Sequence, residues 1–147
     1  MFRKIGLILS IILTVTACAQ STDPNPNSEV EAIAAALRVA TAFSTDRLQY
    51  QPGDSISIAL KNTTSRTIGQ NLCTITLEQK QNDGWLSMPS LRLCTAALYP
   101  LEPNESAHDV FFLGDGQETG TYRFMVKIYL PETNANSAIY SNTFTVE

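Results

Sequence analysis

The chain is poor in the side chains on which most enzymes depend. Its 147 residues include one histidine and three cysteines, and ten basic residues face fourteen acidic ones. One histidine leaves little material for a nucleophile with its base or for a metal cluster. The acidic balance argues against a nucleic-acid partner, because phosphate-backbone binding needs clustered lysine and arginine. We therefore expect no cofactor and no bound nucleic acid.

The apolar run near the N-terminus is too short to be a permanent membrane span. Residues 5–15 would reach roughly 16 Å as a helix, against about 30 Å for the core of a bilayer. The run follows Arg3 and Lys4, and a positive start before a short apolar stretch is typical of an export signal.

Residues 15–18, Val-Thr-Ala-Cys, follow this run and resemble the lipobox of bacterial lipoproteins. The resemblance implies that residues 1–17 are removed as a signal peptide and that Cys18 is acylated, with palmitate among its chains, which holds the exported protein on a membrane. Ala19 stands where many double-membraned bacteria place an aspartate for inner-membrane retention, so the outer membrane is favoured if the host has one. The alternative is an ordinary cleavage site followed by an unrelated cysteine.

The assignment of Cys18 to lipid leaves Cys73 and Cys94 as an even pair. In an exported, oxidising setting such a pair favours a disulfide. Closing a loop of about twenty residues would stabilise the fold by roughly 3 kcal/mol. A metal site that also uses His108, or two free thiols, are the alternatives.

The segment after Cys18 is predicted to be a tether. Residues 19–28 contain two prolines and no large apolar side chain, so they cannot repay the entropy of ordering. Residues 29–36 are rich in alanine, which leaves open a short helix that is not stable alone. The predicted organisation is a signal peptide at 1–17, a lipidated tether at 18–36 and a folded domain at 37–147.

From residue 37 onward, short alternating runs are separated by Pro, Gly, Asn and Asp, as in a β-sandwich. The predicted first strand buries Leu37, Val39 and Phe43, and the predicted third strand places Cys73 on its core face. Further strands are predicted at 56–60, 85–88, 110–113, 121–128 and 138–146, with a hairpin turn at 82–84. We predict an all-β fold, a single antiparallel sandwich of about seven strands.

Several motifs follow one another as in bacterial immunoglobulin-like domains. They are Tyr-Gln-Pro-Gly-Asp at 50–54, Leu-Lys-Asn-Thr-Thr at 60–64, Gly-Trp at 84–85, Leu-Glu-Pro-Asn-Glu-Ser at 101–106 and Gly-Thr-Tyr-Arg at 120–123. Over most of its domain the chain therefore resembles the intracellular proteinase-inhibitor family and related Ig-like surface domains. Without reference to that family, Gly-Thr-Tyr at 120–122 also looks like a tyrosine corner at the start of a sandwich's penultimate strand. The chain departs from the pattern at Phe124, where antibody-type domains place a cysteine, and at Asn104, where a glycine is expected.

Two segments suggest chemistry that the residues support poorly. His108 lies between Ser106 and Asp109, but adjacent strand residues point to opposite faces and triad partners come from distant loops. The Gly-Asp-Gly-Gln-Glu run at 114–118 offers oxygen ligands without the ligand spacing of a known calcium loop. We predict no catalytic residue and no metal site.

The predicted function is the presentation of a non-catalytic Ig-like domain on a membrane surface. Acyl chains on Cys18 would contact the membrane, and the domain would bind or scaffold an envelope or surface protein. For Trp85 a packing role is the simpler interpretation, and for Arg123 an ion pair with an acid of a neighbouring strand. A proteinase inhibitor is the main alternative, and a hydrolase or metal enzyme a more remote one. The contact is predicted in two loops, at Asp83, Gly84 and Trp85 and at Asp115, Gln117 and Glu118.

Overall fold

The computed structural model describes residues 26–39 and 41–147. The predicted signal peptide, Cys18 and the first part of the predicted tether lie outside these residues. The described part is mostly strand, which confirms the all-β prediction. Its elements are α1 (Pro26–Val39), β1 (Thr41–Thr45), β2 (Gln49–Tyr50), β3 (Ser55–Asn62), β4 (Ile68–Gln70), a 3₁₀ helix (Leu72–Thr74), β5 (Thr76–Gln81), β6 (Gly84–Ser87), β7 (Tyr99–Leu101), β8 (Ser106–Phe112), β9 (Gly120–Leu130), β10 (Ala135–Tyr140) and β11 (Phe144–Val146).

Two sheets enclose a shared core. The smaller sheet has the antiparallel order β1-β3-β8, and the larger has the order β2-β11-β9-β4-β7. In the larger sheet β10 also pairs with β9, and the β5–β6 hairpin joins β9 through β5. The pairing of β2 with β11 is parallel, so the sandwich contains one departure from the predicted antiparallel arrangement.

Strand β9 alternates as predicted, with one face in the core. Its inward residues are almost completely buried, and its outward residues stay partly or fully accessible. Alternation of this kind places one face of a strand against apolar neighbours and the other against solvent. The buried set is Tyr122, Phe124, Val126, Ile128 and Leu130.

Four aromatic rings form the centre of the core at one end of the sandwich. The ring of Phe144 lies 5.3 Å from Tyr50, 6.0 Å from Tyr122 and 5.4 Å from Phe124, measured between centroids. The Tyr122 hydroxyl donates to the Glu118 carbonyl oxygen at 2.7 Å, which confirms the predicted tyrosine corner.

The predicted first strand is wrong at its beginning. Leu37 and Val39 belong to helix α1, and the strand starts only at Thr41. Leu37 is 4% exposed and joins the core, with Ile33 packed against it on the same side of the helix. The spacing of four between these residues is helical, and packing of α1 against β10 supplies the stability that an isolated helix lacks. The helix crosses the predicted tether–domain boundary at residue 36.

The predicted third strand also begins too early. Cys73 lies in a 3₁₀ helix whose N-terminus is capped by Asn71, because the Asn71 side-chain oxygen accepts from the Cys73 amide at 3.1 Å. The strand itself starts at Thr76. The predicted last strand, residues 138–146, is divided into β10 and β11, and the break coincides with Ser141, whose hydroxyl accepts from the Phe124 amide at 2.9 Å.

The predicted turns adopt the conformations that their residues favour. Gly53 has φ +86° and follows Pro52 in the turn at 51–54, closed by a hydrogen bond from the Asp54 amide to the Gln51 carbonyl oxygen. Asn104 has φ +67° in the corresponding position after Pro103. Asparagine is among the residues that tolerate this left-handed region, so it replaces the expected glycine without loss of the turn.

The sandwich has two distinct ends, which are fixed by strand β3. Ser55 lies opposite Phe112, and Asn62 lies opposite Thr41. The turn at 51–54 and the β8–β9 loop therefore lie at the Ser55 end, which we name the loop end. Helix α1 joins β1 at the Asn62 end, which we name the helix end. The eight-residue strand separates these ends by about 23 Å.

Candidate binding surface

The two loops predicted to make contact lie together at the loop end. Strand β5 pairs Gln79 with Tyr122, near the start of β9, and runs on to the hairpin at Asn82 and Asp83. The β8–β9 loop ends where β9 starts, at Gly120. Residues that are distant in sequence are therefore brought to one end of the domain.

Within the β8–β9 loop, Gln117 differs from its neighbours. Its side-chain nitrogen donates to the Tyr122 hydroxyl at 2.9 Å, and its backbone amide donates to the Gly114 carbonyl oxygen. Gln117 therefore supports the tyrosine corner and the loop turn. The side chains of Asp115 and Glu118 are exposed and remain available for contact.

The turn at 51–54 packs closely against this loop. An ideal Cβ added at Gly53 would lie 2.8 Å from an oxygen of the Asp115 carboxylate. Gly53 therefore meets two requirements, the positive φ and the close approach of Asp115. A larger residue there would displace the side chain that we predicted to make contact.

Trp85, in the hairpin, is engaged by two cations. The Arg123 guanidinium carbon lies 4.1 Å from the centre of the indole, and the Lys80 ammonium nitrogen lies 5.4 Å from it. Trp85 is half-buried, whereas Asp83 is exposed and Gly84 is half-buried. Such cation–π contacts stabilise by about 0.5–2 kcal/mol. Trp85 thus packs against neighbouring side chains of the fold, which agrees with the packing role that the sequence favoured.

Arg123 forms the predicted ion pair with an acid of the adjacent strand. Its Nε donates to Glu78 at 2.7 Å, and its guanidinium also lies 3.8 Å from the centre of the Tyr140 ring. Glu78 is only 8% exposed, so this is a largely desolvated pair that needs its partner. Arg123 is therefore satisfied within the fold, between two aromatic rings and a carboxylate.

A segment without regular structure, residues 88–98, connects β6 to β7, and we name it the strap. Cys94 forms the predicted disulfide with Cys73, with 5.6 Å between their Cα atoms. The Asn71 side chain donates to the carbonyl oxygens of Thr95 and Ala97 at 2.9 and 2.8 Å. At its beginning, the Met88 amide donates to the Leu77 carbonyl oxygen at 2.8 Å. The strap is therefore fixed at both ends.

The strap and strand β8 together expose an apolar patch that the sequence analysis did not single out. Leu91 and Leu93 are 98% and 100% exposed, and Val110 and Phe112 are 42% and 72% exposed. Leu91, Val110 and Phe112 line one groove, and Leu93 lies two residues further along the strap; we name these four exposed residues the apolar patch. The groove is open, has a volume of about 830 Å³ and is lined mainly by apolar side chains of the strap and β8. The sequence of β8 carries no clear signal for this patch, because only the pairing with β3 determines that Phe112 and not Phe111 faces solvent.

Arg92 connects the strap to β8. Its guanidinium pairs with the Asp109 carboxylate and lies 5.9 Å from the centre of the Phe111 ring. Asp109 is half-buried, while its neighbour His108 is exposed on the opposite face. The structure thus separates the two groups that a catalytic interpretation would join. Among the described residues, no group of three His, Cys, Asp or Glu side chains is placed to hold a metal ion.

Tyr50 has a shifted pKa, but for a structural reason. Burial raises the pKa of its hydroxyl above the ordinary value near 10, and the hydrogen bond to Asp46 at 2.8 Å adds to the shift. The Arg47 amide donates to the same hydroxyl at 2.9 Å. Tyr50 therefore fixes the connection between β1 and β2.

No protein-family model matches the chain, and no curated protein matches it. Among solved structures it is similar to the alkylpurine DNA glycosylase AlkC of Pseudomonas fluorescens, bound to DNA with an abasic site analogue, at 11% identity over 74% of this chain and 30% of that one, with a TM-score of 0.41. It is similar to the sporulation control protein Spo0M of Bacillus subtilis at 12% identity over 74% and 49%, with a TM-score of 0.40. A protein from Bacillus anthracis gives 14% identity over 67% and 75%, with a TM-score of 0.36.

The chain spans less than a third of the glycosylase and about half of Spo0M. At these identities and TM-scores the similarities support no assignment of family or activity. What is defined is the class of fold, an all-β sandwich with one N-terminal helix and one disulfide in its described part. Within residues 26–39 and 41–147, no helix is both long enough and apolar enough to cross a membrane.

Proposed function

We propose that the chain is a lipid-anchored, non-catalytic binding protein of the bacterial envelope. Acylated Cys18 would hold it on a membrane, the outer one if the host has two, and its Ig-like sandwich would contact an envelope or surface protein. The order of basic residues, apolar run and lipobox supports the anchor, and the disulfide is consistent with an exported, oxidising setting.

The observation that carries the binding role is the apolar patch. Single exposed apolar residues are common on protein surfaces, but neighbouring ones that form a patch are typical of interaction sites. Leu91 and Leu93 are exposed on a strap that the disulfide and the Arg92–Asp109 pair hold in place. Because the strap is already ordered, binding there costs little further conformational entropy.

The position of the patch suits a domain anchored through its N-terminus. Phe112 lies opposite Ser55, at the loop end, and the groove is bordered there by Gly114 and Gln117. Helix α1 joins β1 at the helix end. A partner would therefore meet the patch and the predicted contact loops on the side away from the helix connection.

Crosslinking on intact cells, followed by affinity capture and mass spectrometry, tests this function. We expect a reproducible partner that is lost in the unanchored Cys18→Ser form. A Leu91→Ser/Leu93→Ser variant should lose the partner, and the exposed-loop variant Asp83→Ala/Asp115→Ala reports whether the predicted loops add to the contact. Equal capture with Cys18→Ser would contradict the membrane-dependent role.

A proteinase inhibitor remains the second candidate, and the strap is the observation that favours it. An exposed segment held at both ends, with leucine side chains directed to solvent, suits the cleft of a protease. A panel of secreted proteases tests this: inhibition by the wild type that is lost in Leu91→Gly or Leu93→Gly would support it. Unchanged protease rates with an excess of the protein would exclude it for that panel.

A further inference from the structure

Strand β8 is an edge strand, and its outer backbone groups can be identified. Among the strands of residues 26–39 and 41–147, it pairs only with β3. The Leu113 amide donates to the Asp54 carbonyl oxygen, and the Glu105 carbonyl oxygen accepts from the Asn62 amide. Because bonding direction alternates along an antiparallel strand, the odd-numbered residues bond to β3. The amide and carbonyl groups of the even-numbered residues therefore face outward.

These outward groups are largely unused. Those of His108 and Phe112 make no hydrogen bond to any other residue that the structure describes. Between them, the Val110 amide donates to the side chain of Asp109 at 2.8 Å. Asp109, paired with Arg92 of the strap, thus covers the middle of the edge, and the 3₁₀ helix packs against the strand. The outward backbone groups of His108 and Phe112, about 13 Å apart, stay without a hydrogen bond on either side of it.

The side chains beside this edge are apolar and nearly uncharged. Val110 and Phe112 share the exposed face of β8. The groove along the edge is bordered by Met88, Pro89 and Phe111. Of the described residues that line it, only Arg92 and Asp109 are charged, and they form an ion pair with each other. The surface therefore offers backbone hydrogen bonds and apolar contact, and no net charge that would select an acidic or basic partner.

We propose that the free edge of β8 binds an extended segment of a partner protein, which adds to the smaller sheet as a fourth strand. The segment bonds to the backbone of His108 and Phe112, and it places apolar side chains at alternate positions beside Val110 and Phe112. This is strand addition, in which backbone bonds supply affinity and alternate side chains supply specificity. The proposal rests on the proposed binding function and specifies the chemistry of its partner.

Phage-displayed random nine-residue peptides provide the probe, selected on the full-length chain purified from membranes in detergent. We expect enrichment of sequences with Val, Ile or Phe at alternate positions. Binding of a synthesised hit should protect the amides of His108 and Phe112 from hydrogen exchange. N-methylation of the peptide amides that pair with β8 should weaken binding at least tenfold. N-methylation of the amides between them should weaken binding much less.

Two substitutions at the edge isolate the backbone contribution. His108→Pro and His108→Ala both remove the imidazole, but only proline removes the outward amide, and proline is tolerated on edge strands where that amide does not pair. We expect His108→Pro to bind the hit about tenfold more weakly than His108→Ala, with similar thermal unfolding of both. A Phe112→Ser variant should also bind more weakly, through loss of side-chain contact.

Several results would overturn the proposal. These are a selection without alternating apolar sequences, hits that are indifferent to N-methylation, and equal binding by the two His108 variants. Concentration-dependent dimerisation that protects the same amides would identify a second copy as the occupant, and binding of the patch to lipid vesicles would identify a membrane. If a partner is crosslinked on cells but no peptide binds β8, the proposed function stands and strand addition fails. If a peptide binds β8 but no anchor-dependent partner is captured on cells, strand addition stands and the proposed function fails.

Discussion

The two edge strands of the smaller sheet, β1 and β8, differ in how far the rest of the fold covers their outward backbone groups. At β1, the Asp46 amide donates to Ser57 of β3, so Thr45 faces outward, and its amide donates to the Asn142 side chain at 2.9 Å. Helix α1 and strand β10 also pack against β1. At β8, the 3₁₀ helix packs against the strand and the Arg92–Asp109 pair covers its middle, but the outward backbone groups of His108 and Phe112 have no partner among the described residues. Unpaired edges invite association with other chains, and here the fold closes one edge and leaves backbone groups of the other without partners.

Removal of the disulfide should have the largest effect at the open edge. The Cys73→Ala/Cys94→Ala variant frees the strap that lies beside β8, and we expect the free energy of unfolding to fall by about 3 kcal/mol. Urea denaturation measures the loss, and hydrogen exchange should rise at the strap and β8 more than at β1. Wild type treated with a thiol reductant is the matched control and should show the same loss. Unchanged stability would mean that the other strap contacts suffice.

Opening the closed edge should have a smaller effect. Asn142→Ala removes the acceptor for the Thr45 amide and the donor to its hydroxyl, at 2.9 and 2.8 Å. We expect a loss of about 1–2 kcal/mol, measured by thermal and urea unfolding. Asn136→Ala, at an exposed position of β10, is the control and should be nearly neutral. Equal effects of the two substitutions would show that Asn142 does not close the edge.

The β1–β2 connection should make the closed edge sensitive to alkaline pH. The pKa of Tyr50 is raised in the folded protein, so the folded state keeps a proton that the unfolded state releases near pH 10. This contribution to stability is present below about pH 10 and is lost as pH rises through the folded pKa. Urea unfolding between pH 9 and pH 11 should therefore show a steeper loss in wild type than in Tyr50→Phe. Parallel curves would contradict the assignment.

The smallest change in stability is expected at the open edge. Phe112 is 72% exposed, so Phe112→Ala should alter the free energy of unfolding by no more than about 0.5 kcal/mol. The matched phenylalanine on β1, Phe43, is 6% exposed, and Phe43→Ala should cost about 3–5 kcal/mol. Differential scanning calorimetry compares the two. A large loss for Phe112→Ala would mean that the patch supports the fold.

Much of the larger sheet was predictable because its signals are local. The period of two around Tyr122 follows from burial on one face, and the hairpin at 82–84 follows from turn chemistry. The tyrosine corner and the disulfide were likewise accessible from short motifs and cysteine number. The Tyr122 hydroxyl bonds to a backbone carbonyl of the preceding loop, and Arg123 pairs with an acid of the adjacent strand, both as predicted.

The misassigned elements depend on contacts that are distant in sequence. Leu37 and Val39 fit an alternating strand as well as a helix, and packing of α1 against β10 decides between them. Along β8, Phe111 and Phe112 look equivalent in sequence, yet only the pairing with β3 determines which one faces solvent. The candidate binding surface was missed for the same reason, since it joins β8 to a strap fixed by Cys94.

The position of Phe144 near residue 147 determines when the aromatic core can form during synthesis. Its ring touches Tyr50, Tyr122 and Phe124, and its strand is held between β2 and β9. Sheets that depend on such long-range pairing form late, because the chain must first close large loops. A chain that emerges N-terminus first therefore cannot complete its aromatic core until the region of residue 144 has been synthesised. If the predicted export signal acts, we expect this delay to favour passage of the polypeptide through a translocation pore before the domain folds.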